Sequence, residues 1–230
     1  MLLVEVLDKT SSKIKSTDKP ITGLLKHDNQ TVIGSGIQAI AYLHKKFPGK
    51  IIKTIQISGP EDPSYQFLRL ALNHQDNPYF PRIYSVKKYT TKQVMEIKRQ
   101  LQFRGLGAFL MGAGNYLPKQ KKYTLIVVME PLKEERITDA EVKLLGIPNN
   151  MLPRERKKIK PGLMPEYLIR MAFYDPGQRK HTINYVKDPT LKQALRLLEP
   201  LFRHYQPDMH GGNILKRSDG HLVFADPVAP

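Results

Sequence analysis

The chain has 230 residues, 40% hydrophobic and 25% charged, with 37 Lys and Arg against 21 Asp and Glu and a formal net charge of +16 at pH 7. It contains no cysteine, which excludes a disulfide framework, thiolate catalysis and a Cys-based zinc site, and it holds no apolar run of about 18 residues, so no membrane span is expected. The opening Met1-Leu2-Leu3-Val4-Glu5-Val6 lacks the basic region and long apolar core of a secretion signal; the length suits one compact unit or two small lobes, and the surplus positive charge predicts attraction to acidic partners: nucleic acid, acidic protein surfaces or nucleotides.

Leu2 to Leu7 reads as a short strand, and Lys9 to Lys19 as a Ser/Thr/Lys-rich connector. Asp28-Asn29 is a turn signal. A strand at Val32-Ile33, a glycine turn at Gly34-Ser35-Gly36 and a strand from Ala39 to Leu43 follow. Phe47-Pro48-Gly49-Lys50 predicts a hairpin turn into a strand from Ile51 to Ile55 with period-2 alternation. Pro60 and Pro63 open a helix over Ser64 to Asn73, with Phe67, Leu68, Ala71 and Leu72 at helical spacing. Arg82 to Tyr89 reads as an edge strand, Lys92 to Phe103 as an amphipathic helix, and Gly105 to Gly114 as a loop or packing corner, since no Gly-Lys-Ser/Thr follows it.

Tyr123 to Met129 is apolar nearly throughout, as a buried strand should be. Residues 133–165 mix charge with Pro and Gly and include the basic run Arg154 to Lys160. Residues 166–173 and 190–204 read as helices. In the second, Leu191, Ala194, Leu195, Leu198, Leu201 and Phe202 form one face, and Pro200 predicts a bend.

The chemistry-bearing residues cluster late. Asp208 is followed five residues on by Asn213, and Asp226 comes thirteen residues after that. Between them lie Ile214-Leu215, a turn at Ser218-Asp219-Gly220 and a strand-like run from Leu222 to Ala225. Upstream, in order, come the glycine turn, Lys53 in a strand, a helix, and Met129-Glu130-Pro131-Leu132 at the end of a buried strand. Each alone has an ordinary explanation: a hairpin, a surface lysine, a turn Asp. Their joint order and spacing are much harder to obtain by accident.

This order resembles the protein-kinase-like fold across residues 31–230. The segments Ile33 to Tyr42, Phe80 to Tyr84, Asp208-Met209-His210-Gly211-Gly212-Asn213-Ile214 and Asp226-Pro227-Val228 resemble most closely the early serine/threonine protein kinases of short-tailed lytic bacteriophages. The Asp-x-His-x-Gly-Asn form of the loop is also similar to small-molecule kinases of the aminoglycoside phosphotransferase type. The resemblance implies an α+β fold, minimal and two-lobed. A β-rich N-lobe over 1–130 and a helical C-lobe over 131–230 would hold ATP and Mg²⁺ in a cleft, with the fold stopping soon after the metal-binding Asp.

The resemblance also implies roles. Asp208 would orient the acceptor hydroxyl and take its proton. Asn213 and Asp226 would ligate Mg²⁺ through hard oxygens. Lys53 would pair with the α- and β-phosphates. Gly34, Ser35 and Gly36 would line the phosphates, with the two glycines giving backbone N–H groups close approach. Backbone groups of Glu130 and Leu132 would hold the adenine edge, with Met129 beside the ring. His210 stands where protein kinases usually carry Lys, and would touch the transferred phosphate or brace the loop. Expected partners are host proteins, including transcription or translation machinery, in the cytoplasm of an infected bacterium, with direct nucleic-acid binding left open.

Two departures qualify the resemblance. The helix over Ser64 to Asn73 has no acid to pair with Lys53; Glu61 and Asp62 just before it are the alternatives, each equally explained as a helix-start acid. Asp226-Pro227-Val228 replaces Asp-Phe-Gly, so a flipping activation segment is not expected. Substrate would then dock elsewhere, with the basic run Arg154 to Lys160 as the candidate surface. The competing functions are a non-catalytic basic protein that inhibits an acidic host target, and a small-molecule kinase.

Overall fold

The computed structural model describes residues 30–35, 39–45, 47–90, 92–93, 122–147 and 164–229. The expected strand at Leu2 to Leu7, Gly36, the glycine-rich segment at 105–114 and the basic run at 154–160 lie outside them, as does the expected helix at 92–103 apart from its first two residues. The chain is mixed α+β and divides into two compact units. One comprises the described residues within 1–65 and 82–131, the other those within 66–81 and 132–230. Residues 66–81, read from sequence as part of the first lobe, group with the second unit.

The first unit is built on an antiparallel five-stranded sheet. Its strands are β1 (Gln30–Ser35), β2 (Ala39–His44), β3 (Ile51–Ile57), β4 (Ile83–Thr90) and β5 (Tyr123–Met129), in the order β1-β2-β3-β5-β4. The edge position expected for Arg82 to Tyr89 is that of β4, and β5 lies inside the sheet. From Thr124 to Met129 β5 is buried at every residue, which is why its sequence shows no alternation. The same is nearly true of β3, where only Lys53 and Gln56 are half-buried; its apparent period of two is overridden by burial on both faces. Gly34 and Ser35 are paired strand residues, opposite Ala41 and Ile40 after a register shift at Ile33. The strand therefore extends through two residues that the sequence assigns to the turn.

The helix α1 (Pro63–Asn73) starts in the first unit and continues into the second. Pro63 occupies its first position, where the missing N–H costs nothing. Asp62, 2% exposed, accepts from Ser64 N–H at 3.2 Å and from Ser58 N–H and Oγ at 3.0 and 3.1 Å. This carboxylate satisfies orphan donors at the helix start.

The second unit adds α2 (Asp139–Leu144), α3 (Met164–Tyr174), α4 (Pro176–Tyr185) and α5 (Pro189–His204). The apolar face of α5 is buried through Leu191, Ala194, Leu195, Leu198 and Phe202, and the helix runs on through Pro200. Neither α2 nor α4 is expected from hydrophobic periodicity. Both are written in their caps instead. Thr138 and Glu141 form a reciprocal capping box on α2, and Asp175 caps α4 with Pro176 at its first position. The strands β6 (Gln206–Pro207), β7 (Ile214–Lys216), β8 (Leu222–Phe224) and β9 (Val228–Ala229) complete the unit, with β6 pairing β9 and β7 pairing β8.

One buried ion pair ties α2 to β7. Lys216 is 6% exposed; its Nζ lies 2.7 Å from Glu141 Oε1 and donates to the Arg136 carbonyl at 3.0 Å. The Lys216 and Lys133 main chains also exchange hydrogen bonds of 2.8 and 2.9 Å. Burial alone would raise the Glu141 carboxyl. The Lys216 ammonium and the Thr138 N–H and hydroxyl outweigh it and hold the carboxyl below its ordinary range. A carboxyl lowered by folding contributes stability above its unfolded pKa and loses it as pH falls through the folded value. Glu141→Gln should therefore cost about 2–3 kcal/mol at pH 7, somewhat below the roughly 3–5 kcal/mol of breaking a buried pair, because Glu135 Oε2 remains 3.8 Å from the ammonium. The deficit should narrow in acid, below about pH 4. Chemical denaturation of both proteins across that range checks it.

Candidate functional site

The last described segment is a long hairpin broken in its middle. The chain runs out along β6, through residues 208–213, and into β7. A turn follows, with Gly220 at φ 83°, a left-handed value that favours glycine. The chain then returns along β8, through residues 225–227, and into β9. Because β6 pairs β9 and β7 pairs β8, the two interruptions face each other. Each outer rung fixes one side. Asp208 N–H donates to the Pro227 carbonyl at 2.8 Å, and Ala225 N–H donates to the Asn213 carbonyl at 2.8 Å. Asp226 is thus the single residue between a rung to Asp208 and a rung to Asn213.

Inside the interruption the side chains interlock. Asn213 Nδ2 donates to the Asp208 main-chain oxygen at 2.9 Å and to Asp208 Oδ2 at 2.8 Å. Both partners are pure acceptors, so the amide orientation is set by chemistry. Its nitrogen end is engaged, and its oxygen is the end turned to other partners. His210 Nε2 lies 3.5 Å from Asp208 Oδ1, and Gly212 N–H donates to His210 Nδ1 at 3.0 Å. The loop closes with Asn213 and Ile214 N–H groups on the His210 carbonyl, both at 2.9 Å. Its two glycines stand in crowded places. A Cβ on Gly212 would sit 3.0 Å from His210 Cε1, and one on Gly211 would sit 2.6 Å from Glu166 Oε1, a side chain of the first turn of α3.

The neighbouring segment 77–81 is anchored to the same hairpin. Phe224 N–H donates to the Tyr79 carbonyl at 2.9 Å, and the Arg217 guanidinium donates to the carbonyls of Pro78 and Phe80. Tyr79 Oη donates to Asp188 Oδ2 at 2.6 Å, and Asp188 Oδ1 caps α5 through Thr190 and Leu191 N–H groups. Burial first, then the Asp188 carboxylate, raises the Tyr79 phenol above its usual range. These links, with no short-range signature, explain how an exposed-looking Tyr-Phe-Pro segment becomes part of the second unit's core.

The first-unit candidates are organised by strand register. Gly34, Ala41, Lys53, Val127 and Val86 are successive cross-strand partners on β1, β2, β3, β5 and β4. Partners across a sheet share a face, so the half-buried Lys53 and the backbone of Gly34 lie in one row, about 10 Å apart at the usual strand spacing. Met129, two residues beyond Val127, is on that same face. Glu130 is narrowed in its role. Its N–H donates to the Arg82 carbonyl at 2.9 Å, and its buried carboxylate accepts the Arg82 N–H at 2.8 Å. Asp62, one of the two acids weighed as partners of Lys53, also holds the α1 start.

Among the described residues no group of three or more His, Asp or Glu is gathered as a metal cluster. The residues that could hold Mg²⁺ here are Asn213, through its amide oxygen, and Asp226, through its carboxylate. Mg²⁺ bound with nucleotide needs only one or two protein oxygens, since phosphates and water fill the rest. No described helix is long and apolar enough to cross a membrane. A cavity of about 350 Å³ in the second unit is lined by Tyr79, Glu141, Leu144 and residues 219–222; none of the candidate site residues borders it. Comparison with protein-family models and with curated proteins returned no match.

Proposed function

We propose that this chain is an ATP- and Mg²⁺-dependent serine/threonine protein kinase of the phage type, with a minimal two-lobed kinase-like fold, acting on host proteins in the cytoplasm of an infected bacterium. The observation that carries the reading is the clamp on Asp226, held by backbone rungs to Asp208 and Asn213. The backbones of Asp208, Asn213 and Asp226 are thereby neighbours although the residues lie five and thirteen apart in sequence, which supports a carboxylate base, an amide oxygen and a second carboxylate acting as one centre. Phosphoryl transfer is mostly positioning and charge stabilisation, and a loop fixed by these backbone rungs suits it. Asp208 orients the acceptor hydroxyl and takes its proton. Asn213 and Asp226 hold Mg²⁺, which when bound neutralises charge on the phosphates. Lys53 supports the α- and β-phosphates, the Gly34 to Gly36 backbone lies along them, and Met129, the Glu130 carbonyl and Leu132 receive the base.

One observation favours the rival reading of a non-catalytic basic inhibitor. The first turn of α1 carries no acid. Incubation with γ-labelled ATP, Mg²⁺ and a bacterial lysate separates the readings: label on protein supports the proposal, label on small molecules supports the small-molecule kinase, and no label supports the inhibitor. Within the proposal, the run containing Arg154, Arg156, Lys157, Lys158 and Lys160 docks an acidic surface of the substrate. Reversing Arg156, Lys157 and Lys158 to Glu should slow labelling of the host protein at low salt while ATP turnover stays nearly unchanged, because such attraction is screened within about 10 Å at 0.1 M salt. Equal loss of both activities would assign the run to the fold or the catalytic centre.

A further inference from the structure

We propose that His210 is a positioning residue for Asp208, held in a single tautomer by the main-chain N–H of Gly212; the proposal rests on the phosphoryl-transfer reading of this loop. A backbone amide can only donate. The 3.0 Å bond from Gly212 N–H to Nδ1 therefore requires a lone pair on Nδ1, and the neutral imidazole carries its proton on Nε2. Nε2 lies 3.1 Å from Asn213 Nδ2. Both are then donors, so this short approach is not a bond between them. Both are instead turned on one carboxylate. The two Asn213 amide hydrogens go to the Asp208 main-chain oxygen and to Oδ2, and Nε2 lies 3.5 Å from Oδ1. That contact is long for a hydrogen bond, as catalytic contacts often are before the reacting complex tightens them.

The arrangement holds the Asp208 carboxylate from both oxygens before an acceptor hydroxyl arrives. It also gives Gly212 a specific duty. The imidazole folds back over this residue, and a Cβ there would meet Cε1 at 3.0 Å. His210 thereby has a task distinct from touching phosphate and distinct from bracing the loop.

Two substitutions divide the ring's functions. In His210→Asn the side-chain oxygen can still accept the Gly212 N–H, but residue 210 no longer offers a donor to Asp208 Oδ1, and only Asn213 holds the carboxylate. In His210→Gln the amide nitrogen reaches the Nε2 position and supplies that donor. The proposal expects kcat to fall about 10–100-fold in the Asn variant, the scale of a misplaced catalytic group, and to be largely rescued in the Gln variant. Affinity for Mg²⁺-nucleotide should be unchanged in both. Nitrogen NMR of the wild-type chain should find Nδ1 unprotonated and Nε2 protonated. A proton on Nδ1, or an Asn variant that matches wild type while Gln fails, would overturn the positioning role and leave His210 as a loop brace. A wild-type chain that transfers no phosphate would sink the kinase reading and the role with it, while the tautomer is still read on the same sample, so the two failures are distinguishable.

Discussion

Asp226→Ala is expected to weaken binding of ATP in the presence of Mg²⁺ by about 100-fold or more. Loss of a residue that merely supports a metal ligand already costs about 10–100-fold, and Asp226 would be the charged member of a two-residue oxygen set. Its backbone is fixed on both sides, by Ala225 N–H to the Asn213 carbonyl and Asp208 N–H to the Pro227 carbonyl. The hairpin's rungs do not use the carboxylate, so the loss should be read chiefly in binding. Asn213→Ala should act in the same direction. It also releases the amide that donates to Asp208, so turnover should fall in this variant even when Mg²⁺ is raised to saturation. Calorimetric titration of a non-hydrolysable ATP analogue, with and without Mg²⁺, checks both. Unchanged affinity in the Asp226 variant would move the metal elsewhere.

Asp208→Asn should lower phosphoryl transfer by about 10²–10⁴, the usual contribution of a general base, with ATP still bound. The substitution keeps the size of the side chain and disturbs its partners selectively. Asp208 Oδ2 accepts from Asn213 at 2.8 Å, and Oδ1 faces His210 at 3.5 Å. An amide can satisfy only one of these donors with its oxygen; its own N–H₂ then confronts the other. The variant thus loses the base and part of the carboxylate's orientation together. Steady-state labelling of protein substrate at saturating ATP reads the effect, and undiminished labelling would remove Asp208 from the chemistry.

Local signals were legible wherever the physics was local. The uniform apolar run of β5, the edge character of β4, the proline start of α1 and the apolar face of α5 all follow from residue pattern. Turn and helix boundaries were less legible. Gly34 and Ser35 continue β1 because their backbones pair with Ala41 and Ile40, which no property of glycine or serine announces. The helix α4 begins with Pro176-Gly177 and is largely polar, so only the Asp175 cap betrays it. The links that complete the second unit were invisible because they are distant in sequence. Lys216 looks like any strand lysine until Glu141 is found beside it, and Tyr79 meets Asp188 across 109 residues. At the site itself, the sequence suggested Glu130 as a backbone contact without revealing that its N–H is already bound to Arg82. It offered His210 two roles, and the Gly212 N–H that sets the ring's tautomer is visible only in the folded loop.

Asp208, Asn213 and Asp226 are proposed to form a Mg²⁺-dependent phosphoryl-transfer centre. Its most direct test is the initial rate of γ-phosphoryl transfer to lysate protein as Mg²⁺ is titrated at fixed ATP, for the wild-type chain beside Asp208→Asn. The account predicts a wild-type rate that rises with Mg²⁺ to a plateau, and a variant with the same midpoint and a plateau about 10²–10⁴ lower. Equal plateaus, or a wild-type chain that binds Mg²⁺-ATP and transfers nothing at any Mg²⁺ concentration, would contradict it.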